Sequence, residues 1–158
     1  MPDRSPLLNA GERAWLDRLI LPLPRGATIL DLGCGGGEPI DRYLIDHGFH
    51  IVGIDSNPIA IELARTRFPR ERWSLADMRT IVLEESFAGV VAWNSLPLLP
   101  SSDQDAMAER IMAWLKPGGR LLRSGDGAAL SRRGMIEMAQ VDSDASCHGA
   151  HVSLMRKP

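Results

Sequence analysis

Asp31, Gly33, Gly35 and Gly37 alternate through the stretch TILDLGCGGGEPI, residues 28–40. No other part of the sequence concentrates so much potential chemistry. Glycine admits backbone angles closed to other residues and lets a ligand touch the main chain. A run of glycines directly after an apolar segment is therefore a turn built for close approach. The ligand classes separate on the flanking residues. A phosphate-cradling P-loop ends in Gly-Lys-Ser/Thr, which is missing here. The dinucleotide pattern G-x-G-x-x-G, counted from Gly33, needs glycine where Glu38 stands, and an anion there repels a pyrophosphate. What remains is a turn for a nucleotide-like ligand without that diphosphate. A second cluster, Cys147, His148 and His151 in CHGAH, has ligating side chains. Three ligands without a fourth, and without a paired knuckle, argue for a loop or strand end and no metal. Cys34 reads as a small packed residue, since nothing near it in sequence lowers a thiol pKa.

These residues need elements to hold them. NAGERAWLDRLI reads as a helix, with Asn9 and Glu12 at capping-box distance and Trp15, Leu16, Leu19 and Ile20 on one face. ATILDLG is apolar almost throughout, as in a strand buried on both sides. A helix is expected from Glu38 to His47, its free N–H groups beside the glycine turn, with Gly48 ending it. FHIVGID is the next strand. Asn57 caps the helix after it, with Pro58 in the first turn and Phe68-Pro69 as its end. RWSLAD and FAGVVAWN are strands. Ser101 and Gln104 have capping-box spacing for a helix to about Leu115; KPGG is a turn and RLLRS a strand. Alternating strands and helices imply a parallel sheet covered on both faces, with ligands at the carboxyl ends of the strands.

With that order established, the chain resembles the class I S-adenosylmethionine-dependent methyltransferases. ILDLGCGGGEPI is similar to their first motif and VGIDSNPIAIELARTRFP to their second; LADM is similar to the adenine-contacting turn, and WLKPGGRLL to the entry of the fifth strand. The resemblance spans about residues 10 to 124. It implies a Rossmann-like, doubly wound α/β fold, with a mostly parallel seven-stranded sheet and a C-terminal antiparallel hairpin. It also implies S-adenosyl-L-methionine as cofactor and a small molecule as methyl acceptor. By position, Gly33, Cys34 and Gly35 would line the methionine and ribose, Gly37 would complete the turn, and Asp31 would orient it. Asp55, with Ser56 beside it, would accept from the two ribose hydroxyls. Asp77 would take the adenine amine and the Met78 N–H the ring edge, and Asn94 would lie near the cofactor's amino group. Asp77 fits a plain turn acid equally well. No catalytic base stands out: His47 and His50 flank a strand start on the wrong edge, and Arg79 reads as solvated. Trp15, Trp73, Trp93 and Trp114 read as core or pocket wall.

Composition agrees with a single domain over 1–158, with residues 1–8 as a loose arm. Hydrophobic residues make up 44% and charged residues 24%, and the net charge is −2. That balance disfavours nucleic acid as a partner. No segment approaches ~18 apolar residues, so no membrane span is expected, and two cysteines without a framework suit a reducing, cytoplasmic setting. The chain departs from the family at Ala88 and Asn94, where many relatives carry aspartate, and more seriously in 125–158, which is short. GMIEMAQVDSDASCHGAHVSLMRKP reads as the final hairpin, with strands near 135–141 and 151–156, yet only Gly125 to Gly134 separate it from the fifth strand. The crossover helix should be stubby, around 128–133, leaving a sheet face for a partner or a second copy to cover. A protein that binds the cofactor without catalysis, acting in regulation or assembly, is the competing expectation.

Overall fold

The computed structural model describes residues 7–158. Helix α1 (Ala10–Ile20) starts at the expected capping box: the Asn9 side chain accepts from the Glu12 N–H at 2.8 Å and the Glu12 carboxylate from the Asn9 N–H at 3.0 Å. Strand β1 (Thr28–Leu32) is followed by α2 (Ile40–Asp46), β2 (His50–Asp55), α3 (Pro58–Arg67), β3 (Arg72–Leu75) and β4 (Phe87–Ala92). Helix α4 (Ser101–Trp114), β5 (Leu115–Ser124), the single turn α5 (Ala128–Ser131), β6 (Ile136–Asp144) and β7 (Ala150–Arg156) complete the chain.

The seven strands form one sheet in the order β3-β2-β1-β4-β5-β7-β6. The first five are parallel; β7 runs antiparallel to both β5 and β6. Every residue of β4 is buried. One apolar layer packs α1, α2 and α3 on the sheet through Leu19, Leu44 and Ile61, and the other packs α4 and α5 through Met107, Ile111 and Leu130. The chain reverses its direction along the sheet between β1 and β4, which opens the crevice beyond their carboxyl ends.

Three local expectations need correction. Helix α2 begins at Ile40 rather than Glu38: Pro39 has no N–H and occupies the cap, so the helix offers only seven residues beside the glycine turn. The Ser101–Gln104 capping box is not made. Pro100 caps α4, Ser101 is already helical, and the Gln104 amide donates to the Leu99 carbonyl at 2.9 Å. KPGG is a bulge inside β5, where the partner of Phe87 is Leu115 but that of Gly89 is Arg120. Lys157 secures it, its Nζ donating to the Met112 and Leu115 carbonyls at the end of α4. The crossover after β5 is as short as its ten residues demand, and β6 is an edge strand with Ile136, Met138 and Val141 partly exposed.

Candidate active site

The glycine turn is pinned to the end of β2. The N–H groups of Gly33 and Cys34 donate to the Ile54 carbonyl at 2.8 and 3.1 Å, and the Gly35 N–H donates to Asp55 Oδ2 at 2.9 Å. Asp55 Oδ1 accepts from the Asn57 N–H at 2.9 Å. Each oxygen spends one lone pair on the backbone and keeps one, so the carboxylate is oriented yet still able to accept from two further donors. The glycines divide by role. A Cβ at Gly33, where φ is +81°, would lie 2.7 Å from Ser95 Cβ, so this glycine lets the end of β4 pack on the turn. At Gly35 (φ +57°) a Cβ would meet nothing within 4 Å, which marks the face open to a ligand. Gly37 instead makes room for the Phe68 and Trp73 rings.

Beneath the turn lie two buried acids. Asp31 is 3% exposed and Asp41, in the first turn of α2, 1%. Neither oxygen of Asp41 meets a donor among the described residues. Its partner is the Asp31 carboxylate, which it can meet only by carrying a proton. Burial, then the charge of Asp31, pushes the Asp41 carboxyl well above the usual range, and burial raises Asp31 as well. Cys34 sits among these acids, 7% exposed, and burial raises its thiol pKa further still. It is inert packing.

A cavity of about 300 Å³ lies at the carboxyl edge, lined by Gly33, Asp55, Ser56, Asp77, Met78 and Asn94 among others. Asp31, Cys34, Gly35 and Gly37 do not line it; the first, second and last are buried supports. Sequence reasoning missed Ser95, Leu98 and Leu99, which also line it. Among the described residues Ser95 Oγ is buried without a partner. The 3-10 turn Leu96–Leu98, which carries one of the missed residues, has no periodicity to announce it. Arg79 is not solvated freely: Asp77 Oδ1 and Oδ2 accept from its Nε and Nη2 at 3.0 and 2.7 Å, and its Nη1 donates to Asp103 at 3.1 Å. That fork holds the Asp77 carboxyl down at about 2. An incoming amine would therefore share Asp77 with Arg79.

Asn94 turns the chain at the end of β4 in the left-handed region (φ +54°), its N–H donating to Ser124 Oγ at 2.6 Å. It lines the first cavity and also a second, of about 460 Å³, between Pro97, Leu98, Gly125 and the start of β7. The arrangement fits a nucleoside-bearing ligand: an oriented diol acceptor at Asp55, an open backbone face at Gly35, and an orphaned hydroxyl at Ser95. A family model described as a methyltransferase domain matches residues 29–119. The chain belongs to the S-adenosylmethionine-dependent methyltransferase family.

The family's relatives agree. The chain is 32% identical over 105 residues to the trans-aconitate 2-methyltransferase of Variovorax paradoxus, covering 64% of this chain and 39% of that protein. It is 32% identical over 143 residues to the ribosomal protein L11 methyltransferase of Burkholderia thailandensis, covering 89% and 41%. The chain thus spans about two fifths of the length of these curated relatives. Among solved structures, a TehB-like S-adenosylmethionine-dependent methyltransferase from Corynebacterium glutamicum superposes with a TM-score of 0.75 at 26% identity, covering 91% of this chain and 88% of that one. Among the described residues no helix is long and apolar enough to cross a membrane, and no three His, Cys, Asp or Glu side chains converge on a metal site. Cys147 is buried beside Ser146, His148 is exposed, and His151 faces the second cavity.

Proposed function

We propose that this chain transfers a methyl group from S-adenosylmethionine to a small-molecule acceptor. The observation that carries the reading is the meeting of two cavities at Asn94, one built around Asp55 and the glycine turn, the other beyond it. When bound, the cofactor supplies an electrophilic methyl group whose departure leaves a neutral thioether. Asp55 would hold the ribose hydroxyls, the main chain at Gly33 and Gly35 the methionine portion, and Asp77 with the Met78 backbone the adenine. Ser95 Oγ would gain the partner it lacks. The chain's catalytic contribution is then orientation and exclusion of water, and alignment alone is worth ~7–11 kcal/mol. A small acceptor is supported by the trans-aconitate enzyme among the relatives; the free thiols of Cys34 and Cys147 support a cytoplasmic setting.

A second reading, cofactor binding without catalysis, is favoured by one observation: α5 is a single turn, and apolar residues of β6 stand partly exposed where a partner would fit. The test is a thermal-shift panel followed by an acceptor screen with methyl-labelled cofactor. S-adenosylmethionine or its demethylated product at ~100 times Kd should add ~2.7 kcal/mol of stability, while NAD adds none. Stabilisation by NAD alone overturns the cofactor reading. Cofactor binding with no labelled acceptor across the screen selects the second reading.

A further inference from the structure

The second cavity has one feature that the cofactor does not explain. Arg123, on β5, is 5% exposed. Its side chain points to the α4–α5 side of the sheet, opposite Ser153 in register. Its Nε donates to the Ser124 carbonyl at 3.1 Å, and no other hydrogen bond or ion pair engages the guanidinium among the described residues. Asp126 is the acid whose charge reaches it, but Asp126 is exposed and its Oδ1 is taken by the Ala128 N–H. Burial lowers the guanidinium's pKa, yet arginine keeps its proton in proteins. A buried cation of this kind is ordinarily paired.

Arg123 does not itself line the cavity; its Nη2 lies behind Gly125, which does. A Cβ built at Gly125 would fall 2.6 Å from Arg123 Nη2 and 3.1 Å from Pro97 Cγ, and both Gly125 and Pro97 line the cavity. Gly125 has a positive φ (+92°), and a side chain there would stand between Nη2 and Pro97. His151 also lines the cavity. Because β7 is antiparallel, its first residues lie at the same carboxyl edge as the ends of β4 and β5, and the Gly125 N–H donates to the His151 carbonyl at 2.7 Å. Its imidazole Nε2 is buried and has no partner among the described residues; Nδ1 lies 3.8 Å from Asp142. The remaining walls, Pro97, Leu98 and Ala150, are apolar.

We propose that this cavity binds the carboxylate of a small organic acid, with the charge of Arg123 behind the Gly125 wall attracting it, His151 as a polar contact, and Pro97, Leu98 and Ala150 against the acid's carbon skeleton. A guanidinium stays charged at any working pH, and only the side-chain-less Gly125 stands between it and the cavity. The inference deepens the methyl-transfer reading by naming the acceptor class, and it rests on that reading for the claim that the bound acid is the acceptor.

The experiment is calorimetric titration of the full chain, with S-adenosylhomocysteine present, against trans-aconitate, hexanoate and phenylacetate, each paired with its neutral amide. At least one acid should bind tenfold or more tightly than its amide, and Arg123→Met should abolish that preference while Arg123→Lys keeps part of it. Circular dichroism and S-adenosylhomocysteine titration of each variant show whether the fold and the first cavity survive. If Arg123→Met does not fold, Gly125→Ala, which puts a methyl group against Nη2, takes its place. No acid preferred over its amide, or a preference that persists in a folded Arg123→Met, overturns the proposal. Acids that bind a chain with no affinity for S-adenosylhomocysteine uphold the anion site and overturn the cofactor reading instead.

Discussion

The Asp31–Asp41 pair makes the protein's stability depend on pH, and Asp41→Asn should remove most of that dependence. Two carboxyls, 3% and 1% exposed, face each other with Asp55, Glu38 and Glu71 adding negative charge and burial opposing ionisation. Both native pKa values are therefore raised above the unfolded value of ~3.9. For an acid shifted upward, the stabilisation is complete below the unfolded pKa and is lost as pH rises through the native one. While the pair keeps one proton that the unfolded chain has released, stability falls by about 1.4 kcal/mol per pH unit, or about 4 kcal/mol between pH 5 and pH 8 if the proton is held throughout. Asparagine fills the same space, donates an amide N–H to the Asp31 carboxylate, and removes the like charge. Near pH 5 the variant should match the parent. By pH 8 it should be more stable by roughly 2–4 kcal/mol, several degrees in Tm for a chain of this size. Urea unfolding at four pH values in both proteins measures this directly, because the histidines and other acids are common to both and cancel in the difference. Parallel pH profiles, or a variant weaker at pH 8, would show that the pair does not hold a proton.

Asp55→Ala removes the acceptor of the Gly35 and Asn57 N–H groups as well as the proposed ribose contacts. With charge-assisted bonds at ~1.5–3 kcal/mol each, S-adenosylhomocysteine affinity should fall at least tenfold by calorimetry while the far-ultraviolet circular dichroism spectrum persists; an unchanged Kd refutes the role. Hydrogen exchange should be faster across β6, paired on one side and largely exposed, than across β1 and β4, which are buried and paired on both sides. Equal protection in a monomer would count against the thinly covered edge.

The fold was legible because its signals are local and repeat. The Asn9–Glu12 box, Asn57 before Pro58, and apolar strands with Asp31 near the end of β1 and Asp55 closing β2 each need only a few neighbouring residues to be read. Even the stubby α5 follows from chain length alone: ten residues must recross the sheet, which leaves room for one helical turn. The errors occur where a local signal has two uses. Ser101 and Gln104 have capping-box spacing, but Pro100 supplies the extended cap conformation one residue earlier and moves Ser101 into the helix. KPGG has turn composition, and the same glycine freedom serves a bulge when β4 continues alongside.

The site was legible only in the part written along the chain. Glycines and acids at strand ends declare themselves by position, so the turn and Asp55 could be named in advance. A partner's absence cannot be read that way. Arg123 looks like any basic residue of RLLRS, and His151 like one of two histidines in a loop; neither carries a pattern. Their significance comes from long-range register. An antiparallel β7 sets Ser153 opposite Arg123, carries His151 to the carboxyl edge, and brings no carboxylate into contact with the guanidinium. Buried polar groups are normally satisfied, so His151 Nε2, left unsatisfied among the described residues in a residue that lines the second cavity, points to a ligand. The same logic covers Ser95 Oγ in the first cavity. The first motif thus explains how a cofactor would be held. On the proposed reading the choice of acceptor would fall to Arg123 at the end of β5 and His151 on β7, the latter within residues 125–158, where the chain departs from the family pattern.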